Sequence, residues 1–127
     1  MITIFKRKEF ARWQAGEKLT DAALCQAVQE MEKGLIDADL GGLLYKKRVA
    51  RPGSGKRGAY RTLLAAKMGK RYVFMHGFAK STKANIKQNE KKALQYVGKV
   101  LLELSGKELI KALKSGVLME VHCERTD

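Results

Sequence analysis

Apolar and polar positions along the chain alternate between two periods, and the changes of period mark the elements. Ile2 to Phe5 is a short β-branched and aromatic run that predicts a first strand. From about Lys6 the spacing becomes helical: Phe10 and Trp13 stand three apart, and Gly16 stops the segment. Thr20 precedes Asp21 as a candidate N-cap, and Leu24, Val28 and Met31 follow on one face. Gly34 suits the position just past a helix end, so a second helix is predicted from about Asp21 to Lys33. A loop with Asp37, Asp39, Gly41 and Gly42 leads to three strand-like runs, Leu43–Ala50, Ala59–Lys67 and Arg71–Phe78. A glycine-rich basic loop, Arg51–Gly58, joins the first two. Met68-Gly69-Lys70 is a tight turn between the last two. Leu94, Val97, Leu101 and Leu104 form the buried stripe of a long helix from about Gln88 to Leu104. Ser105 with Glu108 is a capping box that opens a last helix through about Lys114, closed by Gly116. Val117 to Val121 reads equally as a final strand or a tail. The order β-α-α-β-β-β-α-α is an α+β plan, a small mainly antiparallel sheet with helices packed on it.

Length and composition narrow the class. With 127 residues and 45% apolar content, the chain is expected to form one domain over residues 1–127 around one core. No apolar run approaches the ~20 residues that span a bilayer, and the N-terminus lacks the pattern of a secretory signal. Cys25 and Cys123 are too few for a disulfide framework or a metal cage, and Cys25 reads as a packing residue inside the second helix. A reduced, cytoplasmic setting is therefore expected.

Charge changes the picture more than composition does. The formal net charge is +13, and all of it is local. Residues 40–89 hold 13 Lys+Arg and no acid, while the rest of the chain holds 13 of each sign. A confined basic block is the footprint of a polyanionic partner. A membrane surface would call for an amphipathic helix. This block instead carries Pro52, Gly53, Gly55, Gly58, Gly69 and Gly77 and strand-like clusters, so nucleic acid is the better partner.

The inventory of reactive groups excludes most enzyme classes. His76 and His122 are the only histidines, and neither has metal-ligand spacing. His76 lies mid-strand, on one face with Phe74 and Phe78 by period two, and reads as a packed strand residue. No Walker loop or nucleophile elbow occurs, although Gly53 to Gly58 has the composition of a phosphate-binding loop. Metal-dependent nucleases need carboxylates, and residues 40–89 have none. RNA offers another route, because its 2′-hydroxyl can attack the adjacent phosphate. The protein then has to align that oxygen, take its proton, stabilise the phosphorane and protonate the leaving 5′-oxygen. Crowded lysines and arginines suit that task, and no cofactor is called for.

Several short runs together resemble a known family. They are Leu44-Tyr45-Lys46-Lys47-Arg48-Val49-Ala50, then Gly53-Ser54-Gly55-Lys56-Arg57-Gly58 with Tyr60-Arg61, then Tyr72-Val73-Phe74, Gly77-Phe78-Ala79-Lys80 and Asn85-Ile86. This order resembles the toxins of the RelE/HigB superfamily, closest to the HigB-like branch. These are ribosome-dependent mRNA interferases of bacterial type II toxin–antitoxin modules. The resemblance covers roughly residues 40–95 and departs at Ala59, where the family usually has glycine. It implies that Arg61 contacts the scissile phosphate, that Lys80 is the basic residue after the next strand, and that Lys46 and Arg48 are the basic pair of the first. Lys56 and Arg57 match the basic loop, and Arg51, Lys47 and Lys83 are further phosphate-binding candidates. Strand alternation favours Lys46 and Arg48 over Lys47. The general base is unassigned, with Lys80 and Lys46 as candidates. The implied partners are the ribosome and mRNA, and a small antitoxin, often with a helix-turn-helix domain, through which operator DNA is bound. Two alternatives stay open: a non-catalytic nucleic-acid-binding module, and a gyrase-inhibiting toxin of the ParE type on the same fold.

Overall fold

Caps set the helix ends that the sequence predicts. In the computed structural model, which describes residues 2–51, 55–79 and 86–124 (side chains of 55–57 excepted), Thr20 Oγ1 accepts a hydrogen bond from the Ala23 amide at 3.2 Å. Helix α2 then runs Asp21–Glu32, after strand β1 (Thr3–Arg7) and helix α1 (Lys8–Gly16). At the other end of the chain, Ser105 Oγ accepts from the Glu108 amide, and Glu108 Oε1 accepts from the Ser105 amide at 2.9 Å. That capping box opens α4 (Gly106–Ser115), and Gly116 closes it at φ 81°, a left-handed value that glycine adopts freely. The preceding helix, α3, spans Gln88–Leu102 and ends two residues before the predicted Leu104. Arg71 accounts for the stop: its Nη1 donates to the carbonyls of Leu101, Leu102 and Leu104 at 3.0, 3.3 and 3.0 Å, placing a cation on the negative end of the helix.

The sheet has six strands in the order β2-β3-β4-β5-β1-β6. Strands β3 (Leu44–Arg51), β4 (Gly55–Lys67) and β5 (Arg71–Ala79) form the predicted antiparallel core, and β1 pairs parallel to β5. The short β6 (Leu118–Glu120) closes the far edge against β1, which settles the open reading of 117–121. Two boundaries differ from expectation. Ala38–Gly41, read as loop, is strand β2 on the edge of β3, because Gln95 Nε2 donates to the Leu40 and Gly41 carbonyls and holds the segment flat. Residues 55–58, read as part of the basic loop, are already strand, with Gly55 opposite Arg51.

Helices cover both faces of the sheet. Phe10, Leu24, Val28 and Met31 of α1 and α2 meet Val49, Tyr60, Leu64, Tyr72 and Phe74. Leu101 and Leu102 of α3 meet Leu44, Leu63, Ala65, Val73 and Met75 on the opposite face, with α4 packed alongside. A half-buried polar knot ties β1 to α1 and α2: Lys6 Nζ donates to Gln14 Oε1 and Asp21 Oδ1, and Gln14 Nε2 donates to Asp21.

The cysteines correct an expectation. Cys25 of α2 and Cys123 after β6 form a disulfide across 98 residues. Sequence spacing could not show the pair. It arises because the tail beyond β6 continues along β1, with the Val121 amide donating to Ile4 O, and lands on α2. Closing a loop of that length is worth roughly 4–5 kcal/mol by chain entropy.

Trp13 of α1 lies against Gly77 of β5, where an added methyl would run into the indole ring. Gly77→Ala is expected to lower stability by about 1–3 kcal/mol in urea unfolding. A loss below ~0.5 kcal/mol would mean that Trp13 does not rest on the strand.

Candidate nucleic-acid interface

Register places the basic residues of β3 and β4 in two rows on the α3 side. One row is Lys46–Leu63–His76 and the next is Arg48–Arg61–Phe78. Neighbouring strands lie ~4.8 Å apart and rows ~7 Å apart. Helix α3 crosses over the adjacent row, Leu44–Ala65–Val73, with Gly98 against the Ala65 methyl. The two basic rows lie beyond that crossing. Lys46, Arg61 and His76 are half-buried there, and Arg48 is exposed.

Arg48 is held by an acid from outside the basic block. Its backbone N–H donates to Asp37 Oδ2 at 2.7 Å, and its Nε donates to Oδ1 at 2.8 Å. Burial pulls the Asp37 carboxyl upward, but the Arg48 amide, the Arg48 guanidinium and the nearby Lys47 charge outweigh it. The carboxyl ends below its ordinary range. Arg61 Nη1 donates to Ala59 O at 3.2 Å along its own strand.

Other predicted cations are placed elsewhere. Lys47 points to the α2 side, where its ammonium meets Glu30 at 2.8 Å with 3% of the side chain exposed. A buried lysine so paired is a packing element, and it does not reach the rows of Lys46 and Arg48. Arg51 lies over the Tyr60 ring at 5.4 Å, on the α1 side. The side chains of Lys56 and Arg57, and all of Lys80 and Lys83, lie outside the described residues. The structure therefore brings together Lys46, Arg48 and Arg61.

It adds one residue that sequence reading set aside. Between Leu63↔His76 and Leu64↔Phe74 the register shifts, so Met75 is an extra residue in β5. Phe74 then faces α1 and α2, while His76 faces the other way with Phe78, whose ring lies 5.9 Å from the imidazole. Strict alternation put Phe74, His76 and Phe78 on one face. No local signal in the sequence marks the bulge.

Among the described residues no cluster of three His, Cys, Asp or Glu side chains is placed to hold a metal ion. Among the described residues no helix is long and apolar enough to cross a membrane. The arrangement is that of a cationic half-open sheet face, suited to a phosphate backbone. Its class is that of a toxin from a toxin–antitoxin system: the family described as RelE toxin of RelE / RelB toxin-antitoxin system matches residues 2–121, nearly the whole chain. The protein belongs to that family, and a cognate antitoxin is its partner. No curated protein matches the sequence.

The Asp37–Arg48 pair makes a pH prediction. A carboxylate depressed in the folded state contributes stability above its unfolded pKa of ~3.9, and that contribution is lost as pH falls through the lower folded value. Arg48 is 44% exposed, so the contribution is screened and below ~1 kcal/mol. Asp37→Asn should narrow the stability difference from wild type as pH drops from 5 to 3, read by urea unfolding. A difference independent of pH would remove the ion pair.

Proposed function

We propose that this toxin is an endoribonuclease that cuts mRNA on the ribosome by internal attack of the 2′-hydroxyl, without a metal ion. The observation that carries this reading is the row arrangement of Lys46, Arg48 and Arg61 on one accessible sheet face. Arg61 sits at the centre, flanked by β3 and β5, and is given the scissile phosphate. A guanidinium matches two phosphate oxygens at once and gains as charge builds on the phosphorane. Arg48, oriented by Asp37, presents the rest of its guanidinium to a neighbouring phosphate. Lys46 lies one row away, toward the adjacent nucleotide. Lys56 and Arg57 of β4, with Lys80 and Lys83 of the sequence that follows β5, are further candidates for phosphate contacts in this reading.

Metal-free chemistry follows from the substrate. The ribose supplies the nucleophile, so no bound water has to be activated. Asp37 accepts from Arg48 through both oxygens, so its part in this reading is to orient the guanidinium. A ribosomal site of action also supplies what a small basic face lacks: the decoding site holds the mRNA extended and in register. Acting there means acting in the cytoplasm. The antitoxin, a helix-turn-helix protein in this reading, covers the basic face with acidic residues and links the toxin to operator DNA.

Two outcomes test the reading. Arg61→Ala, with an unchanged melting profile, should reduce cleavage of ribosome-bound mRNA by 10²-fold or more and relieve growth arrest on induction. Full activity in that variant would remove the central assignment, and wild-type arrest without RNA cleavage would redirect the target to gyrase. EDTA should leave the cleavage rate of toxin on pre-assembled, Mg²⁺-stabilised ribosomes within twofold once ribosome integrity is matched by polyamine. A loss specific to the toxin, restored by divalent metal, would sink the metal-free mechanism.

A further inference from the structure

The extra residue in β5 has a consequence for proton transfer. Without it, His76 would sit with Phe74 in the core beneath α1. With it, the imidazole stands in the row of Lys46 and Leu63, and diagonal to Arg61, whose direct partner is Phe78. Diagonal neighbours on an antiparallel ladder are about 7–8 Å apart and within reach of long side chains. The Phe78 ring, tilted 37° and 5.9 Å away, supports one side of the imidazole.

We propose that His76 takes the proton from the attacking 2′-hydroxyl, an inference that rests on the RNA-cleaving reading above. Lysine is mostly protonated near neutrality and accepts no proton in that form, whereas histidine exchanges one in this range. Charged groups stand on the elements that neighbour β5. Arg61 comes from β4 and Lys46 from β3, with Arg48 and its Asp37 in the next row. Arg7 of β1 donates to Met75 O at 3.3 Å and pairs with Glu9. The first turn of α3 carries Lys87 as its cap, then Glu90 and Lys91. In the step, the bond from the 2′-oxygen to phosphorus forms as the hydroxyl proton passes to His76. The bond from phosphorus to the 5′-oxygen breaks, with its electron pair on that oxygen, which takes a proton from water. The products are a 2′,3′-cyclic phosphate and a 5′-hydroxyl.

The test is the single-turnover cleavage rate of ribosome-bound mRNA between pH 5.5 and 8.5, for wild type, His76→Gln and His122→Gln. Wild type should show a rate that rises with pH through the imidazole range near ~6.5. His76→Gln should lose that limb and roughly 10²–10⁴-fold in rate, with ribosome affinity within about threefold. His122, with 82% of its side chain exposed on the tail, should be replaceable without effect on either. A His76→Gln rate within threefold of wild type, or a retained limb, overturns the assignment. If that variant fails to fold, the wild-type profile decides, and a flat one overturns it. Wild type that cuts no RNA at all overturns the cleavage reading itself, and this inference with it.

Discussion

The accessible face depends on one backbone event, the extra residue at Met75 in β5. A sheet covered by helices on both sides gives each side chain two addresses, and parity decides between them. In β3, parity sends Lys46 and Arg48 to the α3 side and Lys47 to α2. In β5, the bulge resets parity midway, so Phe74 fills one core while His76 and Phe78 join Arg61 on the other face. A strictly alternating β5 would have buried the imidazole beneath α1.

The concentrated positive charge serves two purposes. Part of it is structural: Lys47 is neutralised by Glu30, Arg51 lies on Tyr60, and Arg71 caps the C-terminus of α3. The half-buried Lys46 and Arg61 line the block's two central rows, with the exposed Arg48 held by Asp37. The basic block lacks acids in sequence but not in space, because Glu30 and Asp37 fold back onto it from α2 and the segment before β2. Glu30 meets Lys47 and Asp37 meets Arg48.

Much of the fold was legible in the sequence, for identifiable reasons. Thr20, Ser105 and Glu108 carry caps that act locally, and the stripe of α3 reports its own period. The three central strands alternate clearly. What was not legible depends on distant partners. Strand β2 exists because Gln95 anchors its carbonyls, and α3 stops where Arg71 gathers its last ones. The Cys25–Cys123 bond reflects where β6 delivers the tail. At the site, the family resemblance pointed to Arg61, Lys80, Lys46 and Arg48, and the register sets Lys46, Arg48 and Arg61 in neighbouring rows, while Lys80 lies outside the described residues. The burial of Lys47 followed from alternation, but its partner did not. His76 was set aside because a one-residue bulge leaves no mark on composition or spacing.

The central claim is that this sheet face cleaves RNA through the substrate's own 2′-hydroxyl, and the chemistry of the new RNA ends tests it most directly. Ribosome-bound mRNA cut by purified toxin should carry a 2′,3′-cyclic phosphate on the upstream fragment and a 5′-hydroxyl on the downstream one. A single 2′-deoxynucleotide immediately 5′ of the scissile phosphate should abolish the cut. Fragments bearing a 3′-hydroxyl and a 5′-phosphate, or cleavage that tolerates the deoxy substitution, would contradict the account.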